Sequence, residues 1–141
     1  MYGRCATAAV LLWQNDRQRP PLGRVLGSKH DMSDTPLREG LAPIATKILY
    51  EDDYVRVWNQ VVPAGATLAK HEHVYDYYLI NVQGEGPFEV DFHAGSGGAL
   101  GEHFTYRPKP GTADLVPKGH IETAHNTGEE YRAILVELKQ R

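Results

Sequence analysis

The chain has 141 residues, which is enough for one folded domain with one hydrophobic core. Its 15 Lys and Arg residues nearly balance its 18 Asp and Glu residues, and the formal net charge is −3. We therefore expect no nucleic-acid partner, because the chain lacks a strong cationic field. Cys5 is the single cysteine, so no intrachain disulfide can form, which is typical of a reducing compartment.

The N-terminal part of the chain shows no sustained hydrophobic period. Residues 14–40 are rich in Arg, Pro, Gly, Ser and Asp, so they bury too little apolar area to offset the entropy of ordering. We predict a mostly disordered tail at residues 1–45 and a folded domain at residues 46–141. Met32 opens a more ordinary stretch, so residues 1–31 are either upstream sequence translated from an early start codon or a tail that docks on the folded domain or a partner subunit.

One apolar run, residues 6–13, lies near the start of the chain. It is too short to span a bilayer, and its small residues precede the apolar stretch rather than follow it as a signal-peptide cleavage site would. We therefore expect a cytoplasmic protein that does not interact with a membrane.

From residue 46 onward, short runs rich in β-branched and aromatic residues alternate with turn residues about every eight to twelve positions. No helix of useful length competes with this pattern. The pattern predicts an all-β protein, and the number of runs favours a double-sheet jelly roll. The predicted strands are 46–50, 54–62, 67–73, 77–82, 88–92, 103–106, 113–116, 120–126 and 131–139.

His71 and His73 lie two residues apart in the predicted strand 67–73. Because side chains alternate between the faces of a strand, both imidazoles point to the same side. Two converging neutral imidazoles provide half of a metal site. Gly65 and Gly84 frame this stretch at predicted strand ends, where a positive φ costs glycine nothing.

Together with a second stretch, residues 111–126, these positions resemble the paired signature motifs of the cupin superfamily. Gly65, His71, His73 and Gly84 match the spacing of the first motif, in which Tyr77 stands where the family has glutamate. The resemblance implies the double-stranded β-helix, the jelly-roll barrel of cupins.

The second motif matches the family at four positions: Gly111, Pro117, Gly119 and Asn126. Glu122 stands where the family has histidine. The resemblance therefore implies His71, His73 and Glu122 as metal ligands, a set of two histidines and one carboxylate. This set is typical of non-haem iron sites, so Fe(II) is favoured, with Zn, Mn or Ni as alternatives.

Several nearby residues have more than one interpretation. Tyr77 could bind metal as a phenolate, act as a catalytic proton donor or acceptor, or be a core aromatic. His120 is predicted to lie on the same face as Glu122 and is the reserve ligand, whereas His125 lies on the opposite face. Asp76 is either a hydrogen-bond acceptor for an imidazole or a turn residue.

Residues 46–139 resemble small single-domain cupins, including proteins linked with β-alanine catabolism. This resemblance says little about the reaction, but the metal ligand set leads us to predict a metalloenzyme of the dioxygenase, isomerase or lyase type, acting on a small polar or carboxylate-bearing metabolite. The alternative is a barrel that binds a small molecule without catalysis. We also predict a homodimer, in which the runs 46–50 and 131–139 are candidate edge strands.

Overall fold

The computed structural model describes residues 39–141, and most of the predicted tail lies outside these described residues. The described residues form nine β-strands and one short 3-10 turn at Gly98–Leu100. No helix among residues 39–141 is long and apolar enough to cross a membrane. The strands are β1 Lys47–Glu51, β2 Val55–Val62, β3 Thr67–Glu72, β4 Tyr77–Gln83, β5 Phe88–Phe92, β6 His103–Tyr106, β7 Ala113–Val116, β8 Ile121–Asn126 and β9 Tyr131–Leu138.

The strands form two antiparallel sheets that enclose the core. The first sheet has five strands in the order β1-β2-β9-β4-β7, and the second has four in the order β3-β8-β5-β6. Each predicted strand overlaps an observed one. The prediction of an all-β jelly-roll barrel is therefore confirmed.

Residues just before β1 already pack against the barrel. Ile44 and Ala45 are buried in the core, and the backbone N–H of Ala42 donates to the carbonyl of Lys70 at 2.8 Å. The packed unit therefore includes residues on the N-terminal side of position 46.

The strand β2 shows which face of the five-stranded sheet is internal. Its residues at even positions, Arg56, Trp58, Gln60 and Val62, are buried, whereas the odd positions are half-buried. On the paired strand β9, alternate residues from Tyr131 to Glu137 are buried in the same way. Polar side chains therefore share the interior with the apolar core.

One of the two predicted edge strands lies elsewhere. Strand β1 is the end strand of its sheet, as expected. Strand β9 is hydrogen-bonded to β2 on one side and β4 on the other, so the prediction that residues 131–139 form an edge is wrong. Its apolar run at residues 133–136 is typical of a central strand that packs on both faces.

A β-bulge in β3 sets the direction of His71. Leu68 is paired with Ala124 and His71 with Glu122, so three residues of β3 are matched by two of β8. Because Leu68 packs against the core and strand faces alternate, His71 would point outward without the extra residue. The bulge therefore brings the imidazole inside the barrel.

Glycines end the strands that flank the histidines. Gly65 and Gly84 both have positive φ, as the sequence predicts. A Cβ at Gly84 would lie 2.7 Å from the carbonyl oxygen of Glu130, so a side chain would be excluded there even if the backbone conformation were allowed. The turn after β4 therefore depends on glycine for two separate reasons.

Candidate metal centre and cavity

His71, His73 and Glu122 converge inside the barrel. The Nε2 atoms of the two histidines are 3.3 Å apart, and Oε1 of Glu122 lies 3.5 Å from Nε2 of His71 and 3.3 Å from Nε2 of His73. These three atoms form a nearly equilateral triangle. Both histidines are buried, and the Glu122 side chain is 14% exposed.

Backbone pairing places these side chains. His71 and Glu122 are direct cross-strand partners of β3 and β8. His73 follows β3, and its N–H donates to the carbonyl of His120 at 2.8 Å, while the N–H of Gly119 donates back to the carbonyl of His73. The Pro117–Gly119 corner of the second motif thus extends the pairing of the two strands by one step.

The imidazole of His71 is oriented by its other nitrogen. Nδ1 of His71 lies 2.9 Å from the carbonyl oxygen of Ala69, and only a protonated Nδ1 can donate to that acceptor. The lone pair of Nε2 is then directed at the centre of the triangle. Nδ1 of His73 is buried without a hydrogen-bond partner among the described residues.

The donor set fits a divalent metal. Ligand atoms about 2.1 Å from a metal are about 3.0 Å apart in octahedral and about 3.4 Å apart in tetrahedral arrangement, so the observed separations of 3.3–3.5 Å leave room for a divalent ion. Burial alone would raise the pKa of Glu122, but hydrogen bonds from the two imidazoles lower it to about 2, so the carboxylate is ionised. Three ligand atoms this close together require protons or a cation between them, and without a metal the imidazole protons take that place.

Tyr77 and His120 lie beside this cluster, and both line the adjoining cavity. The Tyr77 ring meets His73 edge-on, with centroids 5.1 Å apart, and the His120 ring centroid is 5.6 Å from that of His73. Burial raises the pKa of Tyr77 well above its ordinary value, and the charge of Glu122 raises it further, which disfavours a phenolate. His120 shares the inner side with Glu122 but is outside the group of converging ligand atoms.

A buried ion pair lies in the five-stranded sheet, in the same cross-strand row as Tyr77. Glu137, the cross-strand partner of Tyr77, accepts a hydrogen bond of 2.7 Å from the indole N–H of Trp58. Arg56 lies 3.6 Å from the same carboxylate oxygen and 2.7 Å from Glu51. Burial raises the pKa of Glu137 above its ordinary value despite these partners.

Asp76 and three other histidines lie away from the ligand triangle. The carboxylate of Asp76 accepts from the backbone N–H of Lys118, which is a turn role, and neither imidazole contacts it. His125 is exposed and contacts Thr67, and His93 contacts Thr123. His103 lies on the exposed side of β6 between two carboxylates.

The triangle opens into a cavity of about 290 Å³ between the two sheets. Most of its walls are apolar or aromatic, from residues of both sheets. Gln60 also lines the cavity, and although it is buried, neither atom of its amide group has a hydrogen-bond partner among the described residues. The apolar wall residues include Leu68, Leu79, Phe88, Val90, Phe92, Phe104, Val116 and Leu135.

A second polar cluster, which we call the far network, lies along the strands from the triangle. Its members are the side chains of Asn81, Tyr106, Thr112, Asp114 and Tyr131. Asn81 is four residues from Tyr77 on β4, or about 13 Å. Tyr131 donates to the Asn81 amide oxygen at 2.5 Å, and Tyr106 donates to Asp114 at 2.9 Å.

The Asn81 amide nitrogen completes the far network. It lies 3.1 Å from the Tyr106 hydroxyl, 3.2 Å from Thr112 and 3.3 Å from Asp114. Burial raises the pKa of Tyr106 to about 12 and that of Tyr131 still further, so both phenols keep their protons. Tyr106, Asp114 and Tyr131 also line the cavity.

Sequence reasoning does not single out Gln60, the far network or Glu137. Each is a polar residue at an inward strand position, and the available signal is a break in an otherwise apolar alternation. Asp114 and Tyr106 come from different strands, so no local spacing could pair them.

Comparison with known proteins identifies the fold. The described strands form a jelly-roll barrel with two histidines and one carboxylate clustered inside it. No family model matches the sequence, and no curated protein matches it. Solved structures do match: a cupin domain from Bordetella pertussis Tohama I is 19% identical, covering 66% of this chain and 90% of its own, with a TM-score of 0.57.

Two further structures have the same fold. An RmlC-like cupin from Methanocaldococcus jannaschii is 18% identical and covers 65% of this chain and 76% of its own, with a TM-score of 0.50. A double-stranded β-helix protein from Klebsiella pneumoniae is 18% identical and covers 72% of this chain and 84% of its own, also at 0.50. The chain therefore has the cupin fold, and at these identities the likeness concerns the fold alone.

Proposed function

We propose that this protein is a metal-binding cupin that takes a small molecule into its cavity beside the metal. The single observation that carries this proposal is the triangle of His71, His73 and Glu122. Its atoms are types that bind metals, and their separations leave room for an ion between them. All three side chains come from one side, which leaves the side towards the cavity for a ligand.

The proposed metal is Fe(II), because two histidines and one carboxylate are the ligand set of non-haem iron sites with open positions. Zinc, manganese and nickel are the alternatives that the same residues could bind. A bound metal would supply Lewis-acid polarisation, and with iron also redox chemistry. These properties suit a dioxygenase, isomerase or lyase, which are the reaction types that we propose.

Tyr77 is the proposed catalytic residue. It lines the cavity beside His73, and its hydroxyl makes no hydrogen bond with another described residue. A protonated phenol in this position would donate a hydrogen bond or a proton to a molecule held next to the metal. The rival proposal is a barrel that binds its small molecule without turning it over, in which Tyr77 only orients the ligand.

Metal analysis of untagged protein tests the proposal. We expect close to one divalent metal per chain, and we expect His71→Ala, His73→Ala and Glu122→Ala each to lose most of it, because three protein ligands leave no redundancy. Tyr77→Phe and His120→Ala are the matched controls and should keep it. Elemental analysis by mass spectrometry measures each variant.

Other outcomes separate the alternatives. Loss of metal in Tyr77→Phe would assign the phenol as a ligand. Loss in His120→Ala with retention in Glu122→Ala would make His120 the third ligand instead. Full occupancy in both His71→Ala and His73→Ala would overturn the metal site. With metal established, conversion of no compound from a substrate screen would favour the binding barrel.

We also propose that the protein is a homodimer. The supporting observation is that β1 ends the five-stranded sheet among the described residues, and end strands are a common place for chains to pair. Sedimentation equilibrium at micromolar concentration should give twice the chain mass of 15.7 kDa. A monomer mass would contradict this proposal.

A further inference from the structure

The cavity lining carries charge of one sign. Among the described residues that line the cavity there is no Lys or Arg, whereas two acidic residues, Glu122 and Asp114, do line it. An anionic group inside the cavity could therefore be neutralised only at the metal centre, if the proposed function holds. Elsewhere the walls are apolar and would not solvate a charge.

At the far network, Asp114 lies at the solvent-exposed rim of the cavity and has unused acceptor capacity. Its Oδ2 atom accepts from Tyr106 at 2.9 Å and lies 3.3 Å from the Asn81 amide. No hydrogen bond from the described part of the chain reaches Oδ1. A carboxylate has about four acceptor positions, so Asp114 can accept a donor from a molecule in the cavity.

Gln60 provides an independent observation. Its side chain is only 3% exposed, lines the cavity and lacks a partner for both its N–H₂ donor and its carbonyl acceptor among residues 39–141. A buried amide without a protein partner pairs with a molecule inside the cavity, either water or a ligand that displaces it. A hydroxyl can donate to Asp114 and accept from the Gln60 N–H₂ group, and an ammonium can donate both to Asp114 and to the Gln60 carbonyl.

We propose that the cavity binds a molecule with an apolar body that presents a neutral or cationic hydrogen-bond donor, an amine or a hydroxyl, to Asp114 and Gln60. The opposite end of the molecule faces the metal centre. A second carboxylate or a phosphate at the donor end is rejected, because it would meet Asp114 with no cation to compensate. A metabolite with a carboxylate fits only if that group faces the metal. The proposal rests on the proposed function for the metal end alone.

A series of hydroxamates with one metal-binding group tests the donor end. The probes are phenylacetohydroxamic acid bearing a 4-aminomethyl, 4-hydroxymethyl, 4-ethyl or 4-carboxymethyl group, titrated calorimetrically into metal-loaded protein. We expect the aminomethyl and hydroxymethyl probes to bind about tenfold to a hundredfold more tightly than the ethyl probe. The carboxymethyl probe should bind most weakly.

Variants assign the preference to the two residues. Asp114→Asn should abolish the advantage of the aminomethyl probe and improve the carboxymethyl probe, while the ethyl probe is unchanged. Gln60→Leu should weaken both donor probes yet leave the unfolding midpoint unchanged or higher, since it removes an unpaired buried amide. Asp53→Asn neutralises an exposed aspartate outside the cavity lining and serves as the control, which should match wild type.

The outcomes separate this inference from the metal proposal. Equal affinity of the four probes, or a preference that persists in Asp114→Asn, overturns the inference while leaving the metal site intact. If no metal is found, 2-phenylethylamine and phenylacetate are compared on metal-free protein by ligand-observed NMR. Preferential binding of the amine that Asp114→Asn removes then supports the inference on its own, and its absence overturns it.

Discussion

The two polar clusters of the barrel differ in how their hydrogen-bonding groups are matched. In the far network, the Tyr106 and Tyr131 hydroxyls and the Asn81 amide supply donors to nearby acceptors. In the triangle, three potential ligand atoms of His71, His73 and Glu122 lie 3.3–3.5 Å apart with no other side-chain donor between them among the described residues. A cluster that contains its own donors and acceptors stabilises the fold by itself, whereas the triangle needs protons or a cation between its atoms.

The largest expected effect is the loss of the centre of the far network. Asn81→Leu keeps the branched shape and the number of heavy atoms but leaves the buried Tyr131 hydroxyl without its acceptor, so the free energy of unfolding should fall by about 2–4 kcal/mol. Urea unfolding in the presence of EDTA measures this, and metal content should stay at the wild-type level.

The matched control for that variant is Asn59→Leu on the outer face of strand β2, in the same sheet. Its side chain makes no hydrogen bond with another described residue, so the change in unfolding free energy should stay within about 0.5 kcal/mol. If Asn59→Leu lost as much unfolding free energy as Asn81→Leu, the hydrogen bonds of the far network would not be the cause of the loss in Asn81→Leu.

A slightly smaller effect is expected from metal, and only at the triangle. Wild-type protein with free Zn²⁺ at a hundred times its dissociation constant should gain about 2.7 kcal/mol of unfolding free energy over protein in EDTA. Glu122→Gln should lose this gain, because the charged ligand is gone, yet match or exceed wild type in EDTA. Paired urea titrations measure both differences.

A result in the opposite direction would be decisive. If Glu122→Gln in EDTA were as destabilised as Asn81→Leu, the triangle would be a matched structural cluster rather than an unmatched one. The histidines would then be protonated partners of a buried carboxylate, and the metal proposal would lose its main support.

The smallest effect concerns an exposed cluster that shows what charge does without burial. His103 lies 2.7 Å from Asp91 and 2.8 Å from Glu89. The hydrogen bond to Asp91, and then the one to Glu89, raise the pKa of His103 above its ordinary value. Because the pKa of His103 is raised in the folded state, protonated His103 stabilises the fold at pH 6. This stabilisation disappears as the pH rises through the raised pKa.

His103→Gln therefore should reduce the free energy of unfolding slightly at pH 6 and not at pH 9. The difference should also shrink in strong acid, where Glu89, whose pKa is lowered by Thr105 and His103, finally protonates. Thermal unfolding as a function of pH checks this, with added salt weakening the effect. A difference that stays constant with pH would exclude the ion pairs as its cause.

The strand pattern was readable from the sequence because turn residues separate short β-branched runs. The histidine pair was readable because its spacing matches strand alternation. The metal ligand set His71, His73 and Glu122 came from motif resemblance, and the structure brings these residues together. That they bind metal stays a prediction.

Other features depend on distant partners and could not be read locally. Strand β2 has Val55, Val57 and Val61 on one face, so hydrophobicity alone would turn that face inward, yet the face with Arg56 and Gln60 is the buried one. Arg56 is accommodated because Glu51 and Glu137 come from two other strands. The bulge in β3 is likewise visible only against β8.

The ligand triangle comes from strands β3 and β8 of the four-stranded sheet and from the residue that follows β3. Tyr77, Gln60 and Asp114 come from the five-stranded sheet. The backbone ladder of β3 and β8 holds the three ligand atoms as a unit. Breathing of one sheet against the other would therefore change the room for a guest molecule while leaving the separations within the triangle intact. Under the proposed function, capture and release of a guest would therefore be decoupled from retention of the metal ion.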